Sequence, residues 1–93
     1  MSDVIGTLWQ TIEQRKRDMP EGSYTAKLFA AGMPRMAQKV GEEGVEVAVA
    51  ALSQDDNRVL SEMADLMYHA LVLLAARNLT WEGVEAELKK RFK

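Results

Sequence analysis

Residues 41–52, GEEGVEVAVAAL, and residues 61–74, SEMADLMYHALVLL, decide the fold of this chain. At about 100° per residue along a helix, the acidic side chains of each segment fall within one arc. Val, Ala, Leu and Met cover most of the remaining circumference. A surface helix of a small domain normally has one apolar stripe and a broad polar face. The pattern therefore predicts two central helices that are apolar on nearly every side except for an acidic stripe.

The two acidic stripes share one spacing, with carboxylates one helical turn apart. They comprise Glu42, Glu43 and Glu46 in the first segment, and Glu62 and Asp65 in the second. Antiparallel packing across the short 53–57 connection would bring the stripes together. Carboxylates crowded among apolar side chains repel one another and lose hydration, so they need either protons or hard divalent cations. Mg²⁺ prefers oxygen ligands, whereas the absence of Cys and the single His argue against Zn²⁺.

Three basic side chains near the first acidic stripe are candidates for binding the phosphate groups of a substrate. They are Lys27, Arg35 and Lys39, and the alternative roles are surface solubility or neutralisation of the acids. By helix spacing we expect Lys39 to be the only basic partner of the stripe, which disfavours an ordinary solvated face with interleaved charges. Gly41 and Gly44 flank the glutamate pair and permit close approach of a ligand or of another helix.

The rest of the chain also has helical periodicity, and no useful stretch alternates with period two. Ser23 or Thr25 is placed to cap a short helix, Asn78 to end a long one, and Thr80 to cap the last. We therefore predict an all-α fold. Its helices are expected at about 4–18, in a short segment ending near 31, at 34–52, at 57–77, and from 81 through a stripe that includes Phe92.

The composition is that of one folded domain over residues 1–93, with 47% hydrophobic and 28% charged residues. A net charge of −2 provides no positive field for nucleic acid or for an anionic membrane. The N-terminus lacks the pattern of a signal peptide, and the longest apolar run, 70–76, is shorter than the roughly 20 residues that cross a bilayer. We therefore expect a cytoplasmic protein with a small-molecule substrate.

Two helices that are apolar almost all round exceed what a chain of this size buries by itself. We therefore expect a homo-oligomer, most simply a homodimer. The alternative is that the N- and C-terminal helices cover part of this apolar surface.

The segments 41–52 and 61–74 together resemble the EExxE…ExxD signature of the all-α, MazG-like nucleoside triphosphate pyrophosphohydrolases. SYTAKLF at 23–29, QKVGEEGVE at 38–46 and the Tyr68-His69 pair after Asp65 are closer still to the phosphoribosyl-ATP pyrophosphohydrolase family. The resemblance extends over about residues 4–92. It implies a four- to five-helix MazG-like bundle completed by homodimerisation, as a homodimer or a dimer of dimers.

The resemblance also implies an activity: Mg²⁺-dependent hydrolysis of 1-(5-phospho-β-D-ribosyl)-ATP to phosphoribosyl-AMP and pyrophosphate, the second step of histidine biosynthesis. It implies that Glu42 orients the attacking water or binds a further ion. The implied metal ligands are Glu43, Glu46, Glu62 and Asp65, and the implied phosphate-binding residues are Lys27, Arg35 and Lys39.

Two other functions fit parts of the same pattern. A house-cleaning hydrolase of non-standard or excess nucleoside triphosphates would use the same metal site on a different substrate. A non-catalytic helical assembly module would use the apolar helices for oligomerisation alone, and it predicts unperturbed carboxylates and no effect of Mg²⁺ on stability.

Overall fold

The computed structural model describes residues 3–92, which form five helices and no strand. The helices are α1 (Asp3–Asp18), α2 (Tyr24–Ala31), α3 (Met33–Ser53), α4 (Asp56–Ala76) and α5 (Trp81–Lys89). The all-α prediction is confirmed, and the bounds of the first four helices agree with the predicted ones to within a residue or so. Helix α5 ends at Lys89, so Phe92 lies beyond it. Residues 1, 2 and 93 of the predicted domain lie outside the described residues.

Side-chain caps set where three of the helices begin. Ser23 accepts a hydrogen bond from the backbone N–H of Ala26, which decides between the two predicted caps of α2. Asp55 caps α4 in the same way, and Thr80 caps α5. Gly32 has φ +93°, in the left-handed region that favours glycine, and it separates α2 from α3. Side-chain caps therefore fix the starts of α2, α4 and α5, and Gly32 fixes the break before α3.

The C-terminus of α4 is closed by Asn78, as predicted. Asn78 has φ +58°, and its N–H donates to the carbonyl of Ala75 while the N–H of Leu79 donates to that of Leu74. This pair of bonds is a Schellman motif. Lys16 of α1 adds a second closure, because its Nζ donates to the Ala75 carbonyl and to Asn78 Oδ1, both at 2.7 Å. The end of α4 is therefore tied to α1 as well as capped.

The hydrophobic core lies between α1, α2, α3 and the second half of α4. Ile12, Leu71 and Val72 are fully buried at its centre. Leu28 and Met36 close it from α2 and α3. The N-terminal half of α4 and the middle of α3 lie outside this core, and there the acidic stripes face each other.

The α3–α4 hairpin leaves a broad apolar surface exposed. Its members are Val45, Val49, Leu52, Leu60 and Met63, and the exposed fraction of Leu52 reaches 88%. A Cβ atom added at Gly41 or Gly44 would meet nothing within 4 Å, so neither glycine is needed for packing within residues 3–92. The N- and C-terminal helices therefore do not cover this part of the apolar surface.

Helix α4 is long and apolar enough to cross a membrane by length and composition alone. One such helix is weak evidence for a span, because the core helix of a soluble protein passes the same test. Here α4 packs against α1, α2 and α3. It also carries Glu62, Asp65 and His69 along one side. Packing in the bundle therefore accounts for the apolar second half of α4, whereas Leu60 and Met63 in its first half stay exposed.

Candidate active site

The two acidic stripes meet where α3 and α4 pack side by side. One carboxylate oxygen from each of Glu43, Glu62 and Asp65 lies within 4.8 Å of the others. Glu43 and Glu62 are buried, with exposed fractions of 6% and 5%, while Asp65 is exposed. The predicted convergence of carboxylates from both helices is therefore present. We refer to Glu43, Glu46, Glu62 and Asp65 as the acidic cluster.

The two buried glutamates each have one oxygen that lacks a hydrogen-bond donor. Oε2 of Glu43 and Oε2 of Glu62 are buried and accept no hydrogen bond from the described residues. A buried carboxylate oxygen without a donor or a cation lowers the stability of the fold by about 1–3 kcal/mol or more. Such atoms mark a place where a positively charged ligand would be stabilising.

The other oxygen of each buried glutamate is held by a cation four residues earlier on its own helix. Lys39 Nζ lies 3.3 Å from Glu43 Oε1 on α3. Arg58 Nη2 lies 2.7 Å from Glu62 Oε1 on α4. Lys39 is thus a basic partner of the first stripe, as expected, and the second stripe has a basic partner of its own in Arg58. Arg58 was recognisable by the same i, i+4 spacing, applied to the second helix as well as to the first.

The Glu46 carboxyl adjoins those of Glu62 and Glu43, and its pKa is raised. Hydrogen bonds with Glu62 and Glu43, together with their negative charges, raise the pKa of the Glu46 carboxyl to about 7. The pKa of Glu43 is lowered, because its hydrogen bonds with Glu46 and Lys39 outweigh the effect of burial. The hydrogen bond to Glu43 raises the pKa of Lys39 against the opposing effect of burial. A proton on Glu46 therefore joins Lys39 and Arg58 in neutralising the cluster.

The remaining predicted site residues lie at the edge of the cluster or away from it. Glu42 is exposed and accepts a hydrogen bond from Gln38 Nε2 at 3.0 Å, with Lys39 Nζ 3.6 Å away. Lys27 and Arg35 are exposed, and among residues 3–92 neither forms an ion pair. Their roles in catalysis and phosphate binding therefore stay predictions.

A chain of polar contacts fixes the start of α2 against α4 beside the cluster. His69 is buried, and its Nδ1 donates to the carbonyl of Asp65 at 2.7 Å, which leaves Nε2 to accept from the Tyr24 hydroxyl at 3.0 Å. The hydroxyls of Thr25 and Tyr68 also share a hydrogen bond. His69 is thus a packed, hydrogen-bonded histidine, and it holds one turn of α4 in register with α2.

The donor set of the cluster fits a hard divalent cation. All its ligand atoms are carboxylate oxygens, two of them buried and without donors. Opposite ligands of Mg²⁺ are about 4.2 Å apart, close to the 4.8 Å span of the three oxygens. Zn²⁺ is a poorer match, because no thiolate is available and His69 uses both ring nitrogens.

Two cavities adjoin α4 at opposite ends. One of about 200 Å³ is lined by Glu46, Glu62 and Arg58 together with Val49 and Gln54. A larger one of about 470 Å³ lies between the end of α4 and α5, with Glu87 as its charged residue. Size alone favours the larger cavity, but the facing carboxylates of Glu46 and Glu62 and the raised pKa of Glu46 belong to the smaller one.

The fold and the cluster define a class of protein: a small helical protein whose central hairpin gathers carboxylates suited to a divalent cation. A family model described as phosphoribosyl-ATP pyrophosphohydrolase matches residues 5–92. The chain belongs to the phosphoribosyl-ATP pyrophosphohydrolase family, and the resemblance noted from the sequence is confirmed.

Individual relatives are similar over nearly the whole chain. The phosphoribosyl-ATP pyrophosphatase of Metallosphaera sedula is 54% identical over 93 residues, covering 100% of both chains. That of Ignicoccus hospitalis is 46% identical over 91 residues, covering 98% of this chain and 89% of the relative. The histidine biosynthesis bifunctional protein HisIE of Xanthomonas axonopodis pv. citri is 52% identical over 87 residues, which are 94% of this chain and 42% of that protein.

Proposed function

We propose that this protein is a Mg²⁺-dependent enzyme that hydrolyses phosphoribosyl-ATP to phosphoribosyl-AMP and pyrophosphate, acting in histidine biosynthesis in the cytoplasm. The observation that carries the proposal is the pair of buried, donor-free oxygens on Glu43 and Glu62. Family membership supports the substrate, because the relatives at 54% and 46% identity are named phosphoribosyl-ATP pyrophosphatases.

The acidic cluster would hold the metal. Glu43 and Glu62 offer their free Oε2 atoms, Asp65 offers an exposed carboxylate, and Glu46 becomes a ligand when it loses its proton. Bound Mg²⁺ neutralises phosphate charge and makes a bound water a better nucleophile. The protein's own contribution is to present four carboxylates from two rigid helices, where an ion would take over part of the neutralisation that Lys39 and Arg58 provide.

Residues at the edge of the cluster would orient the reactants. Glu42 is exposed beside Lys39 and Gln38, where its carboxylate can accept a proton from an attacking water. Lys27 and Arg35 are free to meet phosphate groups, because neither is engaged in an ion pair with another residue of the described chain. Lys39 is tied to the glutamates in this state, which favours neutralisation of the acids as its first role.

We also infer that the enzyme is a homodimer or a dimer of dimers built on the exposed face of the α3–α4 hairpin. Large apolar side chains cover that face, and Gly41 and Gly44 leave room for close approach of a second helix. A cavity of about 200 Å³ is smaller than the roughly 300–1,000 Å³ usual for small-molecule sites. A second copy would help to enclose a nucleotide that carries an extra ribose phosphate.

The activity is tested by pyrophosphate release from phosphoribosyl-ATP and from a panel of ordinary and modified nucleoside triphosphates, each with Mg²⁺ and again with EDTA. We expect chelator-sensitive turnover of phosphoribosyl-ATP far above the panel. Preference for a free triphosphate would indicate the house-cleaning activity. Absence of turnover on every substrate would indicate the assembly module.

The dimer is tested by light scattering of the wild type and of Leu52→Lys. We expect the wild type at twice the chain mass of 10.4 kDa or a multiple of that, and the variant as a monomer. Leu88→Lys changes an exposed leucine outside the hairpin and should leave the assembly intact. A monomeric wild type would contradict the inference.

A further inference from the structure

We propose that Arg58 is a displaceable counter-cation: it neutralises Glu62 while the acidic cluster is empty, and it binds a substrate phosphate once a divalent ion has taken its place. The inference rests on the proposed function for the presence of the ion and the phosphate. It assigns a role to a residue that the acidic motif does not contain.

The contacts of Arg58 leave most of its hydrogen-bonding capacity unused. Its Nη2 donates to Glu62 Oε1 at 2.7 Å and its Nε to Gln54 Oε1 at 3.3 Å. A guanidinium has five N–H donors, so three remain available. The Arg58 side chain is 57% exposed, whereas that of Glu62 is 7% exposed. The exposed Arg58 side chain therefore contacts the buried carboxylate of Glu62, and the guanidinium can rotate away from it without disturbing the core.

The position of Arg58 suits a phosphate held next to the cluster. Arg58, Glu46 and Glu62 line the same cavity of about 200 Å³. A guanidinium at its wall can form the paired, charge-assisted bonds that arginine makes with phosphate oxygens. The ion site and the arginine are therefore neighbours across one small space.

Lys39 is the natural comparison, because it contacts Glu43 as Arg58 contacts Glu62. The Lys39 side chain is only 18% exposed and lies between two glutamates, with Nζ 3.3 Å from Glu43 and 3.6 Å from Glu42. Arg58 has one carboxylate partner and open solvent. Glu62 is buried but the guanidinium of Arg58 is open to solvent, so Arg58 can leave when an ion supplies the positive charge that Glu62 needs. Of the two cations, Arg58 is the one that can move.

Electrostatics favours the exchange, although Arg58 holds Oε1 of Glu62 and an ion would bind the donor-free Oε2. A positive group bonded to Glu62 repels a divalent ion bound to the same carboxylate. Arg58 and the ion therefore compete for Glu62, and the competition weakens ion binding when no phosphate is present. A phosphate relieves it by offering Arg58 another anion.

The test measures two affinities by titration calorimetry in wild type and Arg58→Gln. Mg²⁺ alone should bind the variant about tenfold more tightly, because a repelling charge next to a divalent ion has been removed. Inorganic pyrophosphate, added at saturating Mg²⁺, should bind the variant about tenfold more weakly, because a charge-assisted contact has been lost. The two shifts have opposite signs, which a purely structural role would not produce.

Two further variants serve as controls. Arg58→Lys keeps the charge and should move both affinities less than Arg58→Gln does. Arg17→Gln removes an exposed arginine paired with Asp18 on α1 and should change neither. Weakening of both affinities in Arg58→Gln would show that Arg58 only orients Glu62, and unchanged affinities would show no role; either overturns the inference while leaving the proposed function intact. A wild type that binds no Mg²⁺ would overturn both.

Discussion

The first turns of α4 bury a carboxylate, whereas its last turns bury leucine and valine. In residues 56–65, Glu62 is buried beside Glu43, while Leu60 and Met63 on the same turns are exposed. In residues 68–76, Leu71 and Val72 have no exposed surface. One helix thus places an acid inside and apolar groups outside in its first half, and buries apolar groups in its second half. The buried charge of Glu62 makes the first half less stable, whereas the buried side chains of Leu71 and Val72 anchor the second half in the core.

The largest effect expected from this contrast is on activity. If Glu62 is a metal ligand as proposed, Glu62→Gln should lower pyrophosphate release by about 10³-fold, because the loss of one ligand removes several kcal/mol of stabilisation from the reacting phosphate. The Tm of the metal-free variant should stay equal to or rise above that of the wild type, because a buried carboxylate with an unpaired oxygen has gone. Glu87→Gln, on an exposed glutamate paired with Lys90, is the control. If Glu62→Gln lost activity together with a much lower Tm, Glu62 would be stabilising the fold, which would contradict the contrast between the two halves of α4.

The second effect is on stability and belongs to the other half of the helix. Leu71→Ala should lower the free energy of unfolding by roughly 2–5 kcal/mol, since the side chain is fully buried. Leu60→Ala, on the same helix but 69% exposed, should cost much less when measured by urea denaturation at low protein concentration. If the proposed dimer covers Leu60, the cost of that substitution should grow with protein concentration. Equal costs at every concentration would contradict the contrast.

A smaller effect is expected where the core half of α4 ends. Lys16→Met should lower the free energy of unfolding by about 1–2 kcal/mol, because the hydrogen bonds from its ammonium to the Ala75 carbonyl and Asn78 are lost. Lys90→Met removes a lysine whose side chain is 70% exposed, and it should be nearly neutral. Chemical denaturation of both variants compares them directly. An equal loss of unfolding free energy in the two variants would show that the Lys16 contact does not stabilise the C-terminus of α4.

The smallest effect concerns the response of the acidic half to pH. The pKa of Glu46 is raised from 4.5 to about 7 in the folded chain. Between these two pH values the folded chain therefore keeps a proton on Glu46 that the unfolded chain has released. Stability from this group is therefore complete below about pH 4.5 and is lost as the pH rises through about 7. In EDTA, the Tm should fall between pH 5 and pH 8, and Glu46→Gln should flatten that fall. Saturating Mg²⁺ should remove it, because the metal needs the ionised carboxylate. A Tm that rises over this range in EDTA would contradict the assignment.

The order of the helices and their caps could be predicted from the sequence because both are local. Ser23, Asn78 and Thr80 act on backbone groups within four residues, and the 3.6-residue period fixes which side chains share a face. The acid stripes of α3 and α4 could be predicted for the same reason, since a short connection leaves antiparallel packing as the simple arrangement.

The parts that were not predicted depend on distances between helices or on a cation outside the motif. Protonation was one of the two predicted outcomes, but the choice of Glu46 as the carboxyl with the raised pKa follows from its contacts with Glu62 on the facing helix, which the sequence does not contain. Arg58 lies on α4, outside the acidic motif, although its i, i+4 spacing to Glu62 is the same as that of Lys39 to Glu43. The early end of α5 at Lys89 reflects a helix without a buried residue, whose apolar stripe has too little to pack against within the described chain.

The connection between α3 and α4 consists of only Gln54 and Asp55. Contacts that are close in sequence form quickly in helical proteins, on a scale of about microseconds to milliseconds. The two acidic helices therefore meet early in folding, when no ion is yet bound and each added contact brings carboxylates together. Charge repulsion then acts on the folding barrier itself, so salt or a divalent ion present during refolding would raise the rate at which this hairpin closes.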